Sequence, residues 1–158
     1  MFDHLLTEEQ RRVRDEAREF VKATPRELIL DMDAERVHFP KEWLREAAHR
    51  RLLGVRHPVR WGGRGLDWVA ASAVSEEIGS LSYELACVFG VGADLVCDAI
   101  LSHGTDAQKE RYVAPLLKGE LFETPSDDAH QQTPRISLSG ARHIDGPRLP
   151  RVLRQDRT

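Results

Sequence analysis

Residues 85–101 read LACVFGVGADLVCDAIL, an apolar run whose only charges are Asp94 and Asp98. Wound as a helix, it is apolar almost all round, the mark of a helix enclosed by others and not lying on a surface. It is shorter than the about 20 residues that cross a bilayer and carries two carboxylates, so no membrane span is expected. Asp94 and Asp98, four residues apart, are expected to share a helix edge and point to water. Cys87 and Cys97 read as reduced, buried thiols. Gly90 and Gly92 each cost a helix about 1 kcal/mol against alanine, which points to a close approach to the backbone by a packed helix or a ligand tail.

On the C-terminal side, Thr105-Asp106-Ala107-Gln108 has the spacing of a capping box. Tyr112, Val113, Leu116 and Leu117 then recur at helical spacing, and Gly119 stands where a left-handed cap would close a helix over about 106–118. On the N-terminal side, Asp67 is a plausible cap for a helix through Ala70, Ala73, Val74, Glu77, Ile78 and Leu81, with Gly79 weakening its last turn. Pro58, Gly62, Gly63 and Gly65 make 54–65 a loop. Upstream of it, Phe39-Pro40 opens a helix with Trp43, Leu44, Ala47 and Ala48 on one face. Pro25 sits in the first turn of a short helix carrying Leu28, Ile29 and Met32, and Thr7-Glu8-Glu9-Gln10 caps a helix over about 7–22.

No alternating strand pattern precedes Phe122 and no long period repeats, so the expected class is all-α: a bundle of about six helices over residues 1–121. Residues 122–158 form a second region. Pro125, Pro134, Pro147 and Pro150 punctuate a run too poor in large apolar residues to offset its ordering entropy, and an irregular, mostly disordered tail is expected. Residues 130–158 hold six Arg and two Asp, a local +4; with a net charge of −3 overall, the first 129 residues carry −7. Scattered arginines without interleaved aromatics make a poor nucleic-acid surface, and that partner is set aside. The start Met1-Phe2-Asp3-His4 lacks a signal peptide's basic and apolar regions, and a cytoplasmic protein is expected.

Recognisable chemistry is scarce. Trp61-Gly62-Gly63-Arg64-Gly65 lacks the preceding strand and the Gly-Lys-Ser/Thr of a phosphate loop and reads as a structural turn. Gly90-Val91-Gly92 lies inside an apolar run, not at a strand-to-helix turn. The seven histidines are dispersed, and neither Cys87 with Cys97 nor Cys97 with His103 has a zinc or iron–sulfur spacing. No Gly-x-Ser-x-Gly occurs. No catalytic, cofactor-binding or metal-binding residue is assigned.

Several motifs together resemble the acyl-CoA dehydrogenases. Leu6-Thr7-Glu8-Glu9-Gln10 with Phe20, and Phe39-Pro40-Lys41-Glu42-Trp43, are similar to that family's opening. More specific are Trp61-Gly62-Gly63-Arg64-Gly65-Leu66-Asp67 followed by Glu76-Glu77-Ile78-Gly79, and His103-Gly104-Thr105-Asp106-Ala107-Gln108-Lys109-Glu110-Arg111-Tyr112 with Pro115-Leu116 and Gly119-Glu120-Leu121. The resemblance covers about residues 5–121 and implies the family's N-terminal helical domain. In the family that domain covers one side of a cleft holding FAD and an acyl-CoA thioester. A middle β-domain and a C-terminal bundle hold the flavin, and the bundle supplies the glutamate base. The implied reaction is α,β-desaturation: the base removes the α-proton as the β-hydride passes to flavin N5.

The resemblance ends where the family reads Thr-Glu-Pro and then Ala-Gly-Ser-Asp; here Phe122 leads into Glu123-Thr124-Pro125-Ser126-Asp127-Asp128. Flavin contacts are therefore not carried over to Thr124 or Ser126. Arg50 and Arg51 stand where the family favours a small residue before Leu-Leu-Gly, and His57 and Arg60 lie in a loop otherwise apolar or acidic. The switch to an Arg- and Pro-rich end motivates the expectation of a truncated or frameshifted dehydrogenase, inactive alone. The alternative is a stand-alone helical module pairing with a separate flavoprotein subunit. Both predict an exposed apolar face larger than the few hundred Å² usual for a monomer, and hence a homo-oligomer or a partner.

Overall fold

The computed structural model describes residues 3–122, and among them there are six helices and no strand: α1 (Glu8–Ala23), α2 (Arg26–Asp33), α3 (Lys41–His49), α4 (Trp68–Gly79), α5 (Tyr83–His103) and α6 (106–117). The irregular tail expected beyond Phe122 lies outside the described residues. Leu121 and Phe122 themselves pack against the helical core, with the Phe122 ring edge-on to Phe39 at 5.7 Å.

Local chemistry sets the helix starts. Thr7 Oγ1 accepts the Gln10 N–H at 3.2 Å while Gln10 Oε1 accepts the Thr7 N–H at 2.8 Å, a complete capping box. Gln10 also donates to Asp67 Oδ2 at 2.7 Å, and Asp67 Oδ1 accepts the Ala70 N–H at 2.8 Å, so the caps of α1 and α4 are joined through one side chain. Two turns further along α1, Arg18 and Glu77 form a two-point ion pair at 2.7 and 3.2 Å. Pro25 is the residue before α2 and not within its first turn. In α3 the buried residues are Trp43, Leu44, Ala47 and Ala48, the face read from the sequence.

The segment after α3 is cross-laced instead of loose. Arg51 takes a left-handed backbone (φ 55°), a conformation disfavoured for a side chain of its kind, and its guanidinium donates to the Gly63 carbonyl at 2.8 Å. Arg64 donates to the Arg50 and Arg51 carbonyls at the end of α3 (2.6 and 2.8 Å) and pairs with Glu16 of α1 at 2.5 Å. The loop amides also turn inward: Gly65 N–H bonds to His57 O and Leu66 N–H to Val55 O. The Gly-rich loop is a clamp between α1 and α3.

Both C-terminal helices contain a π-helical turn, Val91–Val96 in α5 and Lys109–Val113 in α6. The second ends two residues before Pro115, which has no N–H to return to the carbonyl of Arg111. Gly119, at φ 68°, closes α6 with its N–H on Leu116 O.

Gly63 marks the tightest point. A Cβ there would lie 2.1 Å from the His57 carbonyl oxygen and 2.7 Å from that of Gly54, both backbone atoms that cannot rotate away. Gly63→Ala is expected to cost about 3 kcal/mol or more in urea unfolding; a loss below about 1 kcal/mol would show that the clamp yields freely.

Candidate functional site

The chemistry gathers where the loop after α3 meets α5. Leu85, Phe89, Ala93 and Cys97 form the buried stripe of α5; a second stripe, Tyr83, Val91 and Leu95, is exposed, with Tyr83 79% and Leu95 68% accessible. The expectation of a fully enclosed helix is thus overturned: composition gives apolarity on all sides, but the described residues cover only one. Ser82 caps the helix through the Leu85 N–H, starting it at Tyr83. At 21 residues it is also long and apolar enough to cross a membrane, contrary to the length expected of it.

Asp94 and Asp98 do not simply face water. Asp98 Oδ2 accepts a hydrogen bond from Arg56 Nη2, and Arg56 Nε lies 3.8 Å from Asp94 Oδ1. The guanidinium stacks on Trp68 at 3.7 Å, leaving the indole 66% exposed. His57, only 2% exposed, places Nε2 2.6 Å from the Ala93 carbonyl oxygen. A carbonyl only accepts, so Nε2 carries the proton. Nδ1 faces Asp98 Oδ1 at 3.7 Å, and Asp94 Oδ1 is 3.9 Å from Nε2. The partners of the two carboxylates, Arg56 and His57, lie some 40 positions upstream, in a loop where only His57 of the two registered in the sequence, as a departure from the family.

Burial pushes the Asp94 carboxyl above its ordinary range, and Asp98 adds to the rise against the opposing pull of Arg56 and His57. Tyr83 is held above its usual value by its hydrogen bond with Cys87, one turn along the open stripe. No group of three or more His, Cys, Asp or Glu arranged to hold a metal occurs among the described residues. Nor does anything there crowd the glycine pair: Gly90 opens on free space and Gly92 meets only Leu116 at ordinary contact distance, so the close approach expected is not observed. The pair instead lies at the start of the π turn. An apolar cavity of about 510 Å³ opens elsewhere, beside Phe20, Leu28, Phe39 and Trp43, where Trp43 Nε1 is satisfied by Thr24 Oγ1 at 2.9 Å. The Trp61 indole N–H is buried without a hydrogen-bond partner among the described residues, a cost of about 1–3 kcal/mol.

Because the folded Asp94 carboxyl is harder to ionise than the unfolded one, its contribution is fully present below the ordinary value of 3.8 and is lost as pH rises through the raised folded value. Asp94→Asn is therefore expected to raise the urea midpoint at neutral pH, with the gain vanishing below pH 3.8. A gain independent of pH would contradict this origin.

The family model described as acyl-CoA dehydrogenase, N-terminal domain, matches residues 7–120. A short-chain specific acyl-CoA dehydrogenase of Clostridium acetobutylicum is 30% identical over 150 residues. The alignment covers 90% of this chain, which takes it past Phe122, and 39% of the relative. The mitochondrial isovaleryl-CoA dehydrogenase of Pongo abelii is 30% identical over 119 residues, 74% of this chain and 28% of the relative. Among solved structures, a glutaryl-CoA dehydrogenase from Mycobacterium smegmatis in complex with FADH2 superposes with a TM-score of 0.70 at 20% identity, over 77% of this chain and 31% of that one. Butyryl-CoA dehydrogenase from Megasphaera elsdenii gives 0.65 at 23%, over 75% and 31%. These two likenesses show the fold. The chain spans well under half the length of the relatives it matches.

Proposed function

Because the chain belongs to the family of acyl-CoA dehydrogenase N-terminal domains, we propose that it is the helical wall of a FAD-dependent flavoprotein that desaturates acyl-CoA thioesters. The observation that carries this reading is the open apolar stripe of α5. Tyr83, Val91 and Leu95 stand uncovered on a helix whose opposite stripe is fully buried. An exposed apolar stripe of that kind marks a surface on which another layer lies. In this role its residues exclude water from the cleft and shape the side against which the acyl chain and flavin lie.

The described residues do not form a FAD site of their own. In the Gly-rich loop the Gly65 and Leu66 amides are spent on the His57 and Val55 carbonyls, and the Arg64 guanidinium is committed to Glu16 and to the end of α3. No redox or proton-transfer step is assigned to this chain, and the base and the flavin belong to the layer that covers the stripe. That layer is a flavin-carrying polypeptide segment, in the same protein or in a partner subunit, and in its absence a second copy of this chain serves as a substitute cover.

Two measurements test the reading. The purified chain is expected to retain no FAD through gel filtration and to show no acyl-CoA-dependent bleaching; bound flavin that acyl-CoA bleaches would make the chain an enzyme in its own right. Leu95→Glu is expected to leave unfolding within about 0.5 kcal/mol of the parent while abolishing association in sedimentation velocity. Unchanged association would show that the open stripe is not the covered surface.

A further inference from the structure

The buried residues of α5, Leu85, Phe89, Ala93 and Cys97, are spaced four apart. On an α-helix of 3.6 residues per turn, each step of four overshoots a full turn by about 40°, so three steps would carry Cys97 about 120° away from Leu85. Yet Cys97 is 0% exposed. The π turn at Val91–Val96 holds an extra residue per turn and removes most of that overshoot. It equally straightens the open row Tyr83, Cys87, Val91, Leu95 and Ala99, which has the same spacing of four.

The hydrogen bonds show what holds the turn in this form. In a regular α-helix the Cys97 N–H would bond to the Ala93 carbonyl. Here it bonds to the Asp94 carbonyl, and Ala93 O receives His57 Nε2 at 2.6 Å instead. A side chain inserted into the backbone ladder is a recognised origin of such a distortion. His57 cannot easily leave: it is buried, Arg56 beside it is tied to Asp98 and stacked on Trp68, and Nδ1 looks at the Asp98 carboxylate.

We propose that His57 is a positioning residue that occupies the Ala93 carbonyl and thereby keeps α5 in the π-turn register that lines up its open apolar row. Without that donor the Ala93 carbonyl regains the Cys97 amide. The C-terminal half of α5 then rotates by roughly 100°, the angle of one residue, relative to the N-terminal half. Cys97 leaves the core, and Leu95 leaves the row that contains Val91. The value of a straight row rests on the proposed role as a cleft wall; the register itself does not.

The two native cysteines report the register without any flavin or partner. In the full wild-type chain a soluble thiol reagent is expected to label Cys87 and spare Cys97. In His57→Leu, which keeps bulk and removes the donor, Cys97 labelling is expected to rise by about tenfold or more while Cys87 is unchanged, at a rate insensitive to low urea, as for local and not global opening. His57→Gln, whose Nε2–H reaches the same carbonyl, restores protection. A folded His57→Leu chain in which Cys97 stays protected, or reacts only through urea-dependent unfolding, overturns the proposal. Should the leucine variant not fold, histidine-selective ¹⁵N NMR of the wild-type chain decides. A slowly exchanging Nε2–H on His57 supports the proposal, and a proton on Nδ1 with Nε2 bare overturns it. Failure of the cleft-wall reading would leave all of these results unchanged and would show instead in the flavin and association measurements.

Discussion

Trp43 is where the separate helices become one core. Its ring lies 5.1 Å from Phe20 of α1 and 6.2 Å from Phe89 of α5, and its indole N–H is satisfied by Thr24 at the end of α1. Aromatic pairs at these separations contribute about 0.5–1.5 kcal/mol each beyond the area they bury. More important is geometry. A rigid bicyclic ring held on three sides leaves α1, α3 and the N-terminal half of α5 little freedom to slide past one another.

That arrangement accounts for the division between what the sequence revealed and what it did not. Thr7, Gln10, Asp67 and Thr105 act through neighbours three residues away, and the buried face of α3 follows from spacing alone; such features are local and were legible. The settings of Asp94 and Asp98 were not, because Arg56 and His57 reach them from a loop some 40 positions earlier. The π turn of α5 left a trace that a search for 3.6-residue periodicity passes over: buried side chains at a strict interval of four. The enclosure expected of α5 failed for another reason. An apolar side chain has the same composition whether its cover is part of this domain or part of another layer.

The departures from the family find structural partners here. Arg51, in a backbone conformation suited to glycine, holds the Gly63 carbonyl. His57 brings a donor into the core, and the acidic residues of α5 surround it. His57, the buried one among them, would cost about 1–3 kcal/mol if introduced without its partners. They are intelligible only as a set.

The 21-residue length of α5 bears on how the chain is made. By length and composition alone a helix this apolar is able to cross a bilayer, as the core helices of soluble proteins also can be. Trp43, which meets Phe89 of the buried stripe of α5, lies in α3, and α4 also precedes α5, so both are synthesised first. At about 5–20 residues per second, the 40 residues between Trp43 and Tyr83 give the earlier helices seconds to assemble, a long time against the microseconds a helix needs to form. The order of elements along the chain thus provides a partial template before its most apolar segment appears, and moving α5 ahead of α1 by circular permutation would remove that order.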